Sequence, residues 1–243
     1  MVLRMRDIFQ QSLPHEMHND VRLPGITPCD PDDWLRVDEA YAEQMVYRAH
    51  LLACQREDVL WSATASSLAQ EELLEKVLSI LPGLGFQIEN DNVTRPDGEQ
   101  VVVDWSKPLL TLGHLVQEDL CILQKSGTEH VLTAAVLCFP ASWRLAEKAG
   151  QPLTQIHVPV PEYDADIARR VQRLFDGVKA GRPLWRFNRL TYSDSDLHQP
   201  FPKPEDRPGR YLRSERQCIL RLPRTQAVVF TIHTWILPGT DIK

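Results

Sequence analysis

The chain lacks a CxxC pair, an HExxH pattern, a glycine-rich dinucleotide loop and any long apolar run, and each absence removes a class of protein. Its five cysteines (Cys29, Cys54, Cys121, Cys138 and Cys218) are odd in number and widely separated, which argues against a disulfide framework or a zinc site. Buried thiols in a reducing, cytoplasmic compartment are expected instead. The N-terminal stretch turns polar within its first ten residues, so neither a secretory leader nor a membrane span is predicted. Lys/Arg runs are missing too. With 33 acidic against 27 basic residues and a net charge of −6, the chain offers no footprint for a phosphate backbone, and no nucleic-acid or membrane partner is predicted.

What is present is ordinary globular material: 43% hydrophobic and 25% charged residues over 243 positions, enough to build a core. Residues 1 to 33 carry Pro14, Pro24, Gly25, Pro28 and Pro31 and read as an extended arm. Asp32 or Asp33 is expected to cap a helix whose Trp34, Val37, Tyr41 and Met45 form one apolar stripe, and a second helix is predicted near 69–80, ending before Pro82-Gly83. GFQIENDNVTRPDGEQVVVDW reads as a hairpin around Pro96-Asp97-Gly98. Residues 1–110 thus read as arm, helices and accessory hairpin.

Residues 111–243 read as the core. LVQEDLCILQ, from Leu115, and HVLTAAVLCF are predicted to form a hairpin. WRLAEKAG and the segment 164–179 are predicted helices. LWRFNRLTYS, YLRSERQCILRL and AVVFTIHTWIL complete five strands, with helices inserted between the second and third. The expected class is α+β with an antiparallel sheet and an N-terminal helical extension, the whole forming one compact unit.

Alternation along YLRSERQCILRL puts Leu212, Ser214, Arg216, Cys218, Leu220 and Leu222 on one face and Arg213, Glu215, Gln217, Ile219 and Arg221 on the other. Arg216 is a charge on an otherwise apolar face and must meet an anion, from a ligand or from a protein carboxylate such as Glu118. Glu118 and Asp119 point to opposite faces, so they do not form a paired acid/base site; either alone could hold a cation or a structural salt bridge. Among eight histidines, His157 stands in the proline-stiffened IHVPVP, where a fixed imidazole suits a core position or an iron ligand. His114, His198 and His233 are the competing ligand candidates.

LGHLVQEDLCIL, LCFPASWRLAEKAGQPLTQIHVPVPEY, WRFN and LRSERQCILRLPRTQAVVFTIHTW together resemble the haem-dependent oxidative N-demethylase family. The resemblance implies a PAS-like domain holding haem b, and a monooxygenase that uses O2 to remove a methyl group from a small secondary amine resembling dimethylamine, releasing formaldehyde. It implies His157 as the iron ligand, Arg213, Glu215 and Arg216 as cofactor-binding residues with Arg216 at a propionate, and Glu118 or Asp119 as the carboxylate drawing in the ammonium substrate. The chain departs from the family pattern at Arg189, Cys218 and Trp235, positions that would widen the choice of substrate if they lined the pocket. The missing dinucleotide loop and cysteine cluster place NADPH, flavin or iron–sulfur parts on a separate reductase chain. A PAS-like sensor and a haem-free binding protein are the alternative readings.

Overall fold

The computed structural model describes residues 7–17, 25–157, 165–202 and 209–239, with the side chains of 157 and 165–168 outside the description. It is an α+β protein, as expected. The arm contributes a two-residue strand, β1 (Thr27–Pro28), followed by helix α1 (Tyr41–Cys54), the short α2 (Arg56–Val59), strand β2 (Leu60–Ser62) and helix α3 (Ser67–Ile80). A small sheet of β3 (Gln87–Glu89), β4 (Asn92–Thr94) and β5 (Gln100–Val102) leads to α4 (Pro108–Leu115). The long strands β6 (Asp119–Ser126) and β7 (Glu129–Val136) form a hairpin, and α5 (Leu145–Lys148), α6 (Leu153–His157) and α7 (Ala165–Gly177) follow. Strands β8 (Leu184–Tyr192), β9 (Tyr211–Arg221) and β10 (Val228–Pro238) close the chain.

The large sheet is antiparallel throughout, in the order β1-β8-β9-β10-β6-β7-β2. The arm and β2 supply its short edges, and β9, β10 and β6 lie at its centre. Alternation gives each central strand two buried faces. Leu120, Ile122, Leu220 and Val229 pack with Leu52, Leu73 and Leu112 of α1, α3 and α4. Leu123, Leu132, Ile219 and Ile232 pack instead with Leu145, Leu153 and Phe175 of α5, α6 and α7. A sheet covered on both sides explains why its central strands are apolar on both faces.

Three local expectations are corrected. The first helix begins at Tyr41, seven residues after Trp34, because Glu118 Oε1 accepts from Arg36 N at 2.8 Å and Gln117 Oε1 from Asp38 N at 3.1 Å. Those backbone donors are held by side chains from the far end of the core, and the chain there stays non-helical while Trp34 and Leu35 are still buried. The accessory hairpin is a three-stranded meander: a second turn at Asn90, with φ 55°, adds a strand that the Pro-Asp-Gly signal alone does not reveal. Residues 108–115 form a helix opened by Pro108, and β6 starts at Asp119 rather than at Leu115.

Candidate functional site

The face of the sheet under α5, α6 and α7 contains a cavity of about 260 Å³. Strand alternation builds its floor. Glu215, Gln217 and Ile219 of β9 face it together, flanked by Phe230 and Ile232 of β10 on one side and Arg186 of β8 on the other. Ile156 of α6 and Val171 and Leu174 of α7 form the roof, and Lys148 of α5 stands at one wall beside Trp143. The ammonium of Lys148 lies 4.5 Å from the Trp143 ring centre.

Most of this lining is apolar, and its polar members have an unusual balance. Lys148 and Arg186 make no ion pair among the described residues, and Arg186 Nε is buried with no hydrogen-bond partner. Burial lowers the pKa of both, the direction expected of cations removed from water without full compensation. The carboxylate in the lining is Glu215, 4% exposed, which is held by neighbours on its own strand and the next: Oε1 accepts from Arg213 Nε at 3.2 Å, and Oε2 from Asn188 Nδ2 at 3.0 Å and Gln217 Nε2 at 3.2 Å. Arg213 is itself fully buried and spends its other nitrogens on the carbonyls of Leu197, at 2.9 Å, and Phe139, at 2.6 Å. It braces Glu215 from behind the cavity.

Arg216 lies on the opposite face, as alternation requires. Its anion is Asp33, at 2.8 Å, and its guanidinium also reaches Cys218 Sγ at 3.2 Å and Cys29 Sγ at 3.4 Å and stacks over Trp185. The carboxylate partner suggested by sequence, Glu118, is not the one found. Beside this guanidinium the Cys29 thiol is lowered to about 7, by its hydrogen bond with Cys218 first and by the Arg216 charge.

Glu118 and Asp119 do not line the cavity, and they diverge. Asp119 Oδ1 accepts from Arg48 Nη1 at 2.6 Å and from Cys138 N at 2.7 Å, while Oδ2 accepts from Phe139 N at 2.8 Å. Arg48 has no exposure at all, so this pair is a sealed ion pair between α1 and the start of β6. Glu118 Oε1 accepts from His233 Nδ1 at 2.8 Å, and His233 Nε2 donates to Asp38 Oδ2 at 3.1 Å. Burial pulls the His233 pKa down, but the Glu118 and Asp38 carboxylates override it and hold the imidazole up at about 9.

Of the candidate histidines, His233 is therefore a cation with both ring nitrogens engaged, which leaves no lone pair for a metal. His198 Nδ1 bonds the Cys138 carbonyl at 2.8 Å, and His114 sits in the last turn of α4, where burial lowers its pKa; neither reaches the cavity. His157 is the last residue of α6, one position after the cavity-lining Ile156, and its side chain lies outside the described residues. Among the described residues no cluster of three or more His, Cys, Asp or Glu is arranged for a metal ion, and no helix is long and apolar enough to cross a membrane.

Lys148, Arg186 and Gln217 are the site residues that sequence reasoning passed over. Gln217 carried a signal, since alternation already set it on the face of Glu215. Arg186 and Lys148 carried none, because a lone basic residue in a strand or short helix is most often solvated. The three departures from the family pattern fall elsewhere. Arg189 is exposed and bonds the Met17 carbonyl, Cys218 lies on the Arg216 face, and Trp235 packs with Leu13 and Met17.

The antiparallel α+β fold thus encloses an apolar, cation-edged cavity between its sheet and three helices, with the volume of a small-molecule site. Residues 25–243 match the family described as haem-dependent oxidative N-demethylase, alpha subunit-like, and the chain belongs to that family.

Proposed function

We propose that this chain is the haem-binding, substrate-oxidising component of an oxidative N-demethylase, with the cavity above β9 as the place of haem b and of a small secondary amine. The observation that carries the reading is a pair of cations that make no ion pair among the described residues, Arg186 with its orphaned buried Nε and Lys148, at the edge of an apolar slot. Half-buried cations of this kind attract an anion, and the propionates of a haem are anions attached to an apolar disc. At about 260 Å³ the cavity is small for a porphyrin, so the reading rests on the chemistry of the walls and on family membership.

In this reading Arg186 and Lys148 would meet the propionates, a role that sequence alone gave to Arg216, whose guanidinium is already matched by Asp33 on the other face. His157 would supply the axial imidazole from the end of α6. Arg213 would act on the site through Glu215, and Arg216, Glu118 and Asp119 would hold the sheet to the arm and to α1. When bound, haem supplies the activation of O2 needed to oxidise an N-methyl carbon. The chain's own residues hold the amine, keep the apolar slot free of water and set the charge around it. Electrons would come from NADPH through flavin or iron–sulfur centres on a separate reductase, and the helices inserted between β7 and β8 are what a PAS-like reading expects.

The visible spectrum of the protein expressed with haem precursor tests this. A Soret band that shifts on adding dimethylamine, followed by formaldehyde release with a reductant, is the expected result. A band indifferent to amines would favour a PAS-like sensor, and no band after reconstitution would overturn the cofactor and leave a haem-free binding protein.

A further inference from the structure

We propose that Cys29 and Cys218 form a peroxide-reactive dithiol, in which oxidation of Cys29 is resolved by Cys218 to give a disulfide that ties the arm to the central strand β9. The strand order brings the two together. Thr27, Trp185 and Cys218 lie in one row across β1, β8 and β9, and just past Pro28 the Cys29 side chain reaches over β8 to the face that carries Arg216 and Cys218. One guanidinium then serves both sulfurs: Arg216 Nη1 donates to Cys218 Sγ at 3.2 Å and Nη2 to Cys29 Sγ at 3.4 Å. The two thiols are also hydrogen-bonded to each other. The other cysteines lack this setting. Cys54 is exposed, with its sulfur 3.8 Å from His50 Nδ1, and Cys121 and Cys138 are sealed in the core.

Position and charge divide the roles within the pair. Cys29 is half-buried, open enough to meet a small oxidant, whereas Cys218 is 1% exposed. The thiolate is the nucleophile, and a fixed cation beside the sulfur favours it. The Cys218 hydrogen bond and the Arg216 charge outweigh burial and the opposing Asp33 carboxylate, and they bring Cys29 down to about 7. Cys29 therefore reacts first: its thiolate attacks one oxygen of hydrogen peroxide, the O–O bond breaks, and Cys29 becomes a sulfenic acid while the departing hydroxide takes a proton to leave as water. Cys218 is held up by its bond to an ionised Cys29. Oxidation of Cys29 removes that cause and leaves Arg216 and the Thr231 hydroxyl to oppose burial and favour the Cys218 thiolate. Its attack on the sulfenic sulfur makes the S–S bond and expels the hydroxyl, which carries off the Cys218 proton as a second water. Two thiols lose two electrons, and one peroxide becomes two waters. The arm otherwise joins the sheet through a strand of two residues, so a covalent link from position 29 to β9 restrains it and closes a loop spanning most of the chain.

Treating the full chain with one equivalent of hydrogen peroxide tests this, in the Cys54→Ser background so that exposed thiols do not join separate molecules. Alkylation under denaturing conditions and peptide mass mapping give the readout. The expected result is a linked Cys29–Cys218 peptide two hydrogens lighter than its parts, loss of two titratable thiols, a raised urea midpoint, and reversal of all three by dithiothreitol. In Cys218→Ser the reaction should stop at a Cys29 sulfenic acid that dimedone traps, and in Cys29→Ser the sealed Cys218 should stay unmodified. Full alkylation of both cysteines after peroxide overturns the proposal, and so does a Cys29 that goes to sulfenic or sulfinic acid in the presence of Cys218 with no linked peptide. Should a serine variant not fold, the wild-type chain still decides: half-maximal iodoacetamide labelling of Cys29 at about pH 7 supports the assignment, and labelling that waits for about pH 9 overturns it. None of these readouts involves haem, so the demethylase reading stands or falls separately.

Discussion

His233 and Glu118 are joined by a 2.8 Å hydrogen bond from Nδ1 to Oε1, and with Asp38 on the other ring nitrogen they make a buried carboxylate–imidazolium–carboxylate chain between β10, the start of β6 and the segment that leads into α1. The imidazole is raised from 6.5 to about 9, so its contribution to stability is fully present below pH 6.5 and is lost as the pH rises through about 9. A fall in unfolding free energy of roughly 3 kcal/mol is expected across that window. Urea midpoints at about pH 6 and about pH 10 read it directly. In His233→Gln the fall should flatten; an equally steep fall in the variant would remove His233 as its source.

Asp38 makes the complementary statement at the acid end. Burial raises its pKa, but the His233 charge and the hydrogen bonds from Gln117 and Gln10 outweigh burial and bring it down to about 2 from 3.8. Its stabilisation is present above pH 3.8 and disappears as the pH falls through about 2. Asp38→Asn should therefore leave a protein less stable at neutral pH and less sensitive to acid. Acid titration followed by tryptophan fluorescence would show it, because Trp34 and Trp235 are both buried near this chain.

The Arg48–Asp119 pair gives a harsher expectation. Both side chains are sealed, and Asp119 also caps the amides of Cys138 and Phe139. Removing it leaves a buried guanidinium and two unmatched N–H groups, so Asp119→Ala should cost about 3–5 kcal/mol or prevent folding. Chemical denaturation measures this. A stable Asp119→Ala protein that had lost amine binding alone would instead restore Asp119 to the substrate site.

Much of the fold was legible from local signals because β8, β9 and β10 have unbroken strand patterns between clear turn residues. The antiparallel class and the two faces of β9 followed from that alternation. Segment 108–115 was not legible as a helix: Leu109, Leu112 and Leu115 are buried along with Pro108, Thr111 and Gly113, and a helix buried on so many sides shows no polar stripe. The start of α1 was hidden for a different reason, since the donors of Arg36 and Asp38 are captured by side chains 82 and 79 residues away. No local rule contains a contact of that range.

At the site, alternation separated Arg216 from Glu215 but could not say which face held the cavity. Arg216 drew attention as a charge on an apolar face, yet Asp33, on a turn in the arm, answers it. The uncompensated cations came from β8 and from the four-residue α5, and their convergence with β9 is a product of the strand order. Recognising that Arg186 lacked a partner required the packed structure.

That contrast yields a paired expectation. Arg186→Ala should leave the fold intact and lower haem affinity by roughly 1.5–3 kcal/mol, the scale of a charge-assisted contact. Arg216→Ala should act on stability, since it removes a buried guanidinium that ties β9 to Asp33 and packs on Trp185 and the two thiols. Haem transfer to apomyoglobin and denaturant unfolding separate the two effects. If Arg216→Ala loses haem while keeping wild-type stability, the propionates belong on its face and not in the cavity.

The axial position gives the last expectation. With His233 protonated between two carboxylates, and His114 and His198 away from the cavity, His157, one residue after the cavity-lining Ile156, is the one of the four candidates whose backbone adjoins the lining. A short helix terminus beside a proline-rich segment can lose an imidazole without disturbing the sheet, so His157→Ala should keep wild-type unfolding behaviour yet purify with little haem. Added imidazole enters the gap left by a missing side chain and can take the vacated coordination position, so it should restore a low-spin Soret band in His157→Ala. Full haem loading of the variant with an unaltered spectrum would move the ligand to another residue, and the His198→Ala spectrum would be the next to record.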